Sequence, residues 1–348
     1  ATTGATTGTT GSQWPTPQLT AGTWDDNANF SYFESYLNSS DVLALYSEPH
    51  PNVSDRLVVQ VQDSQGHPYA GAHVVLSQAG VQRAALDTGG EGLITFVPAW
   101  DSLDPQTPID LGVSAPGVGT SARISHLGQT VTVTLPGLAA APPALEIALI
   151  VDTTGSMGDE LSYLQNELAG VAQDLANRFP GVSQRWGAVL YRDDDWGEDY
   201  ITRVEAFTSS LPTFQTWLMQ QSAGGGGDVP EVPERGLQDA ATLAWTPGAV
   251  ARMAFHIADA PHHEGRQAAF EGAVKQLRNQ SVHIYPIAAS GADDATQYEM
   301  RLEAFSTSGR YLFLTDDSGI GGSHAAPAVP CYYVTTLKSA IVRSVATE

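Results

Sequence analysis

Residues 145–152 read LEIALIVD, an apolar run, and Met157, Leu161, Leu164, Leu168, Val171 and Leu175 then recur at spacings of four and three. A strand that is apolar on both faces must be covered on both faces, which is the situation of a central parallel strand. The spacing that follows makes one apolar stripe along a helix. The alternation continues down the chain: strands QRWGAVLYRD and ITRVEAF, helices LPTFQTWLMQQ and EVPERGLQDAATLA, strand ARMAFHIAD, helix GRQAAFEGAVKQLRNQ, strand VHIYPIAAS, helix ATQYEMRLEAFSTS, strand YLFLT and a last helix around YYVTTLKSAIVRSV. Strands alternating with helices predict a doubly wound, Rossmann-like α/β sheet, with ligands at the carboxyl ends of its strands.

Upstream of residue 137 the period is two. LVVQVQD, AHVVLSQ, GLITFVP, IDLGVSA and TVTVTLP, between residues 55 and 136, alternate and are separated by Gly, Pro, Asp and Ser, which predicts a small antiparallel sandwich. VQVQDSQGHPYAGAHVVLSQAG, followed by LDTGGEGLITF, resembles the carboxypeptidase regulatory-like or CnaB-like Ig-type modules of surface proteins, with Gly66 and Pro68 turning the first hairpin. That resemblance implies a spacer. Residues 13–137 are thus expected to form an all-β Ig-like module led by a short helix at FSYFESYL, 138–144 a hinge, and 145–348 the α/β domain. Asp25 and Asp26 invite a metal reading, but a cap on that first helix is the simpler one. Residues 1–12, ATTGATTGTTGS, have nothing to bury and read as a flexible tether. In bacteria such a stretch commonly follows the signal cleavage point or lipid-modified cysteine of an exported protein, so an extracellular, cell-surface or periplasmic location is expected, with a lipid anchor upstream of residue 1; an added cloning sequence reads the same way.

Thirty-eight acidic residues against sixteen Lys plus Arg give a formal net charge of -22. Such a field repels phosphate backbones and anionic lipid surfaces, so nucleic acid is not an expected partner. The single Cys331 excludes an intramolecular disulfide, and its apolar neighbourhood predicts a buried thiol. No apolar run is long enough for a membrane span, and Ala1 does not begin a signal peptide, so a soluble, processed chain is expected.

Three segments at predicted strand ends carry hard oxygen donors. In the first, Asp152-Thr153-Thr154-Gly155-Ser156, one carboxylate and two hydroxyls at alternate positions can converge on a point between strand and helix. Hard cations prefer such oxygens. The second is GGGGDVPE, residues 224–231, where glycines allow close backbone approach and Asp228 offers a carboxylate; Glu231 reads as a first-turn helix residue. The third is IADAPHHEG, residues 257–265, with Asp259 at the strand end. Tyr191-Arg192-Asp193 ends another strand, and Arg192 is expected to pair with a loop carboxylate; Asp194, Asp195, Glu198 and Asp199 read as a solvated acidic loop.

Together these segments resemble the metal-ion-dependent adhesion site of von Willebrand factor A domains, whose D-x-S/T-x-S signature LIVDTTGSMGDEL matches. GGGD-x-PE and ADAP resemble a subgroup that includes hemicentin-like and alpha-kinase-associated members. The resemblance implies Asp152, Thr154, Ser156, Asp228 and Asp259 as metal ligands; the position of the family's loop threonine is glycine here, and Asp228, after the glycines, substitutes for it, directly or through water. It implies a rim of Gly227, Asp194 and His262, and Mg²⁺, or Mn²⁺ or Ca²⁺, as the cation. A protein or matrix ligand is then captured through an Asp or Glu that completes the coordination, and no catalysis is expected. Two other classes remain open: a structural subunit in which the metal only steadies the loops, and an accessory domain of an enzyme. Zinc hydrolysis is set aside, because His262, His263 and Glu264 form no H-E-x-x-H helix and adjacent loop histidines point apart. No G-x-S-x-G elbow, Walker loop or dinucleotide fingerprint occurs.

Overall fold

The structure, a computed structural model, describes residues 19–194, 197–227, 229–318 and 326–348; the predicted tether and Asp228 lie outside them. The chain opens with β1 (Thr20–Trp24), α1 (Phe30–Leu37) and α2 (Ser40–Leu43). Next come β2 (Leu57–Gln62), β3 (His73–Gln78), β4 (Val81–Asp87), β5 (Leu93–Phe96), α3 (Pro98–Asp101), β6 (Ile109–Ala115), β7 (Val118–Ile124) and β8 (Thr130–Thr134). The rest is β9 (Ala144–Asp152), α4 (Gly158–Arg178), β10 (Ser183–Tyr191), β11 (Thr202–Thr208), α5 (Leu211–Leu218), α6 (Pro233–Ala240), β12 (Ala251–Ala258), α7 (Gln267–Asn279), β13 (His283–Ala288), α8 (Asp294–Thr307), β14 (Tyr311–Thr315), β15 (Thr335–Thr336) and α9 (Leu337–Val345).

The α/β part is a mixed eight-stranded sheet in the order β11-β10-β9-β12-β13-β14-β1-β15. Strands β10, β9, β12, β13 and β14 run parallel, and β11 is an antiparallel edge. The stripe Leu161, Leu164, Leu168, Val171 and Leu175 of α4 is buried against one face, with α5 and α9 beside it. Helices α6, α7 and α8 cover the other through Leu237, Phe270, Val274 and Met300. The chain leaves β9 to one side for β10 and lays β12 on the other, so the topological switch point, where doubly wound sheets take their ligands, falls at the carboxyl ends of β9 and β12.

The expected division of the chain is corrected at its start. Residues 20–24, read as part of the leading segment of the β-module, form a strand of the α/β sheet, pairing antiparallel with β14 and with β15. The helices behind it pack on α8: Phe33, Leu37 and Val42 share a core with Tyr298, Leu302 and Phe305. Asp26 is no helix cap; it is buried against Arg301, and Asn29 stands at the cap position of α1. The two-sheet unit is consequently inserted between β1 and β9.

That unit has a three-stranded sheet, β5-β2-β8, and a four-stranded antiparallel one, β4-β3-β6-β7, around one core of Leu57, Val59, Leu76, Phe96, Leu111 and Val133. The all-antiparallel expectation fails at β2 and β8, which pair in parallel. The unit is also held against the α/β part. Asp101 accepts from Arg278 Nη1 at 2.6 Å and Nη2 at 3.0 Å, both side chains buried, and Asp87 accepts from Arg252 at 2.6 Å. Cys331, expected to be buried, is exposed. Among the described residues, no helix is long and apolar enough to cross a membrane.

Candidate cation site

Asp152 ends β9 and is completely buried. Its Oδ1 accepts from the Thr154 amide and the Thr154 hydroxyl, both at 2.8 Å, while its Oδ2 has no partner. The Thr154 hydroxyl lies 3.4 Å from that of Ser156, which is exposed at the loop surface and near enough to the Asp259 carboxylate to favour its charged form. The loop turns through a short 3-10 segment, Gly155–Met157, before α4, and this delivers both hydroxyls to the same side. The first and third segments thereby lie together.

The glycine run lies against the first loop. Gly155 donates to the Gly225 carbonyl at 3.1 Å and Gly224 to the Thr153 carbonyl at 3.0 Å. Gly226 has a φ of +66°, and a methyl on its Cα would stand 2.7 Å from Thr154 Cβ and 2.6 Å from Glu231 Oε1. Only glycine fits there. The same closeness shows that the Thr154 and Glu231 side chains converge on one spot.

Glu231 is the residue that the sequence reading misplaced. It precedes α6 rather than lying in its first turn, and it is buried, its backbone bridged in parallel to His262 and its amide bonded to the Pro261 carbonyl at 2.9 Å. Its Oε2 has no partner. Burial first, then the charges of Asp152, Asp193 and Asp259, push its carboxyl up to about 9. Burial and then Asp259 push Asp152 up to about 7. Asp259 is raised as well, by burial, against the lowering effect of the Ser156 hydroxyl. Carboxylates gathered with unpaired buried oxygens repel one another and lack a counter-charge. A divalent cation supplies what they lack, so this donor set fits one.

Of the expected rim, Gly227 is exposed with open space beyond it. Asp194 is exposed but pairs with Arg266 at 2.8 Å. His262 is not at a rim. It is buried, stacked on Tyr46 with ring centroids 4.6 Å apart and packed against Phe270, because the loop after Pro261 turns inward. His263 points the other way, its Nε2 2.7 Å from Asp193 Oδ1, and Asp193, Asp194 and His263 form a neighbouring cluster. Arg192 pairs with Glu198 at 3.2 Å, and Glu198 accepts from the Gly226 amide at 2.6 Å, fixing the glycine run from behind. That pairing was expected in kind. Asp195 lies outside the described residues.

Residues 146–319 match the family described as von Willebrand factor A domain. The alpha-protein kinase vwkA of Dictyostelium discoideum is 28% identical over 123 residues, 35% of this chain and 19% of that protein. A putative ariadne-like RING finger protein of Acanthamoeba polyphaga mimivirus is 34% identical over 89 residues, 25% of this chain and 8% of that protein. The chain therefore spans less than a fifth of either relative. Among solved structures, the pilus adhesin SpaC of Lactobacillus rhamnosus GG in its open conformation aligns with a TM-score of 0.38 and 12% identity, over 58% of this chain and 29% of that one.

Proposed function

The chain belongs to the von Willebrand factor A domain family, and from that premise we propose that it binds a protein or matrix ligand through a divalent cation held where β9 and β12 end. The observation that carries this reading is the buried, partnerless Oδ2 of Asp152, set among the unpaired or raised carboxyls of Glu231 and Asp259. Asp152, Thr154, Ser156 and Asp259 would hold the ion, with Glu231 completing the carboxylate set beside Asp228 of the same glycine loop. This is an adhesion site of the metal-ion-dependent type.

Bound there, Mg²⁺, or Mn²⁺ or Ca²⁺, supplies an electrophilic position that a ligand Asp or Glu can complete. The chain's own residues do the rest. Asp152 is fixed by two hydrogen bonds from Thr154, the hydroxyls of Thr154 and Ser156 add neutral donors, and the open surface at Gly227 leaves room for an incoming side chain. Nothing in this arrangement calls for a nucleophile or a general base, which favours binding over catalysis. We place this activity outside the cell, on a surface or in the periplasm, because residues 1–12 have the composition of an exported tether, with the two-sheet, Ig-like unit as the module beside the binding domain.

The test is a Mn²⁺ or Mg²⁺ titration by calorimetry of the full chain and of Asp152→Ala. Binding to the first and its loss in the second is the expected result; equal titrations would remove the assignment. Competition of ligand binding by a free carboxylate peptide favours capture, whereas a partner retained in chelator favours a structural subunit whose metal only steadies the loops.

A further inference from the structure

One of the residues that hold the loop carrying Asp259 lies outside the segment that matches the family. His262 donates its amide to both carboxyl oxygens of Glu299 on α8, at 3.1 and 3.2 Å, and Glu299 also accepts the hydroxyl of Tyr46. The Tyr46 ring stacks on the His262 imidazole at an interplanar angle of 26°. The opposite side of the same loop is fixed by the Glu231 amide on the Pro261 carbonyl, and the hydroxyl of Thr296 reaches the Asp259 carbonyl at 3.3 Å. Tyr46 thus meets Glu299 across 253 residues of sequence, from the stretch between α2 and β2 that leads into the two-sheet unit.

We propose that Tyr46 is a positioning residue for the cation site: by holding Glu299 against the backbone of residues 259–263 it sets where the Asp259 carboxylate stands. This rests on the cation reading above. The physical argument is local. Glu299 is buried; its carboxyl accepts from the Tyr46 hydroxyl and the His262 amide, with His262 Nε2 3.4 Å away, so removing the hydroxyl leaves a buried polar group short of a partner and free to shift against the amide. Asp259 is three residues from the amide that would be released, in a loop without a helix or strand of its own. Displacement of a ligand by about an ångström is enough to degrade a site that demands near-octahedral geometry. Tyr46 itself touches no candidate ligand.

Tyr46→Phe keeps the ring on His262 and removes only the hydroxyl. The full chain carrying it should bind Mn²⁺ about three- to thirtyfold more weakly at a temperature where both proteins are folded. Free Mn²⁺ would be read from its paramagnetic resonance signal. The amide of His262, followed by hydrogen exchange, should exchange faster in the same variant. Glu299→Gln, whose amide mimics a neutral carboxyl, should retain most of the affinity that Glu299→Leu loses, and this pair decides the matter if Tyr46→Phe does not fold. Unchanged Mn²⁺ affinity together with unchanged His262 exchange overturns the proposal. If the wild type and Asp152→Ala titrate alike, the cation reading is what has failed, and the clamp is then judged on His262 exchange alone.

Discussion

Asp26 and Arg301 form a bidentate pair in which both side chains are fully buried, with Nη2 2.6 Å from Oδ1 and Nε 3.0 Å from Oδ2. Trp24 adds a hydrogen bond to the same carboxylate at 2.9 Å, and Tyr36 lies 3.8 Å over the guanidinium. The pair joins the segment after β1 to the middle of α8, so it fastens the N-terminal elements to the domain they complete.

Removing one partner of a buried pair leaves an uncompensated charge. Asp26→Ala is expected to destabilise the chain by about 3–5 kcal/mol. The check is a urea transition with the midpoint lowered and the slope unchanged; a loss below about 1 kcal/mol, the level of an exposed pair, would mean the guanidinium finds water.

Gly226 gives a separate handle on the site. Gly226→Ala places a methyl against Thr154 and Glu231 and asks a non-glycine residue to hold a φ of +66°. Cation affinity should fall at least tenfold, since the loop must move by more than a bond's tolerance. The thermal midpoint should fall too, by the few degrees that roughly 1–2 kcal/mol of backbone strain imply. Calorimetric titration beside a melting curve tests both halves.

Glu231 and Asp228 make distinguishable predictions. If Glu231 is the buried carboxylate of the set, Glu231→Gln weakens Mn²⁺ binding by about tenfold or more, while Asp228→Asn changes it less. The reverse order would return the ligand role to Asp228. Paired titrations of the two variants decide it.

The metal-free protein should lose stability as pH rises. Asp152 and Glu231 have ordinary values of 3.8 and 4.5 and are pushed up to about 7 and about 9 in the fold. Above its ordinary value each group ionises freely in the unfolded chain but not in the folded one. The folded state then binds more protons, and stability falls with pH until the folded value is passed. The fall should run from about pH 4 to pH 9, and saturating Mg²⁺ should flatten it because the ion binds the ionised forms and releases their protons. Melting curves with chelator and with Mg²⁺ across that range give the answer; parallel curves would contradict it.

How much of this is legible in the sequence depends on how local each signal is. Asp152, Thr154 and Ser156 can be read because ligand spacing, preceding strand and following helix all lie within one stretch of chain. Glu231 cannot, since its orientation comes from a bridge to His262 that joins two distant loops. Beside Pro233 it looks like an ordinary first-turn acid. Helix α8 misleads in the same way. Glu299, Arg301 and Glu303 are charged residues that a helical pattern does not place in a core, yet each is buried, with Tyr46 and the His262 amide, Asp26, and His256 as partners. What buries α8 on its outer side is α1 and α2, from the other end of the chain. TAGTW, with small residues and a glycine that a Phe313 ring requires, carries little strand pattern, so nothing local assigns β1 to the α/β sheet.

The place of β1 in the sheet bears on how the chain is made. Thr20 hydrogen bonds to Thr315, 295 residues further along. At ribosomal speeds roughly 15 to 60 s separate their synthesis. During that interval the contiguous strands β2 to β8 can collapse on their own core, whereas β1 emerges early and must stay unpaired until β14 has left the ribosome. A strand that waits so long in the open is safest when it is short and rich in small and hydroxyl-bearing residues, since long apolar strands without partners seed aggregation. The sequence TAGTW has that character, and the price of closing the sheet late is met by a segment that does little harm while it waits.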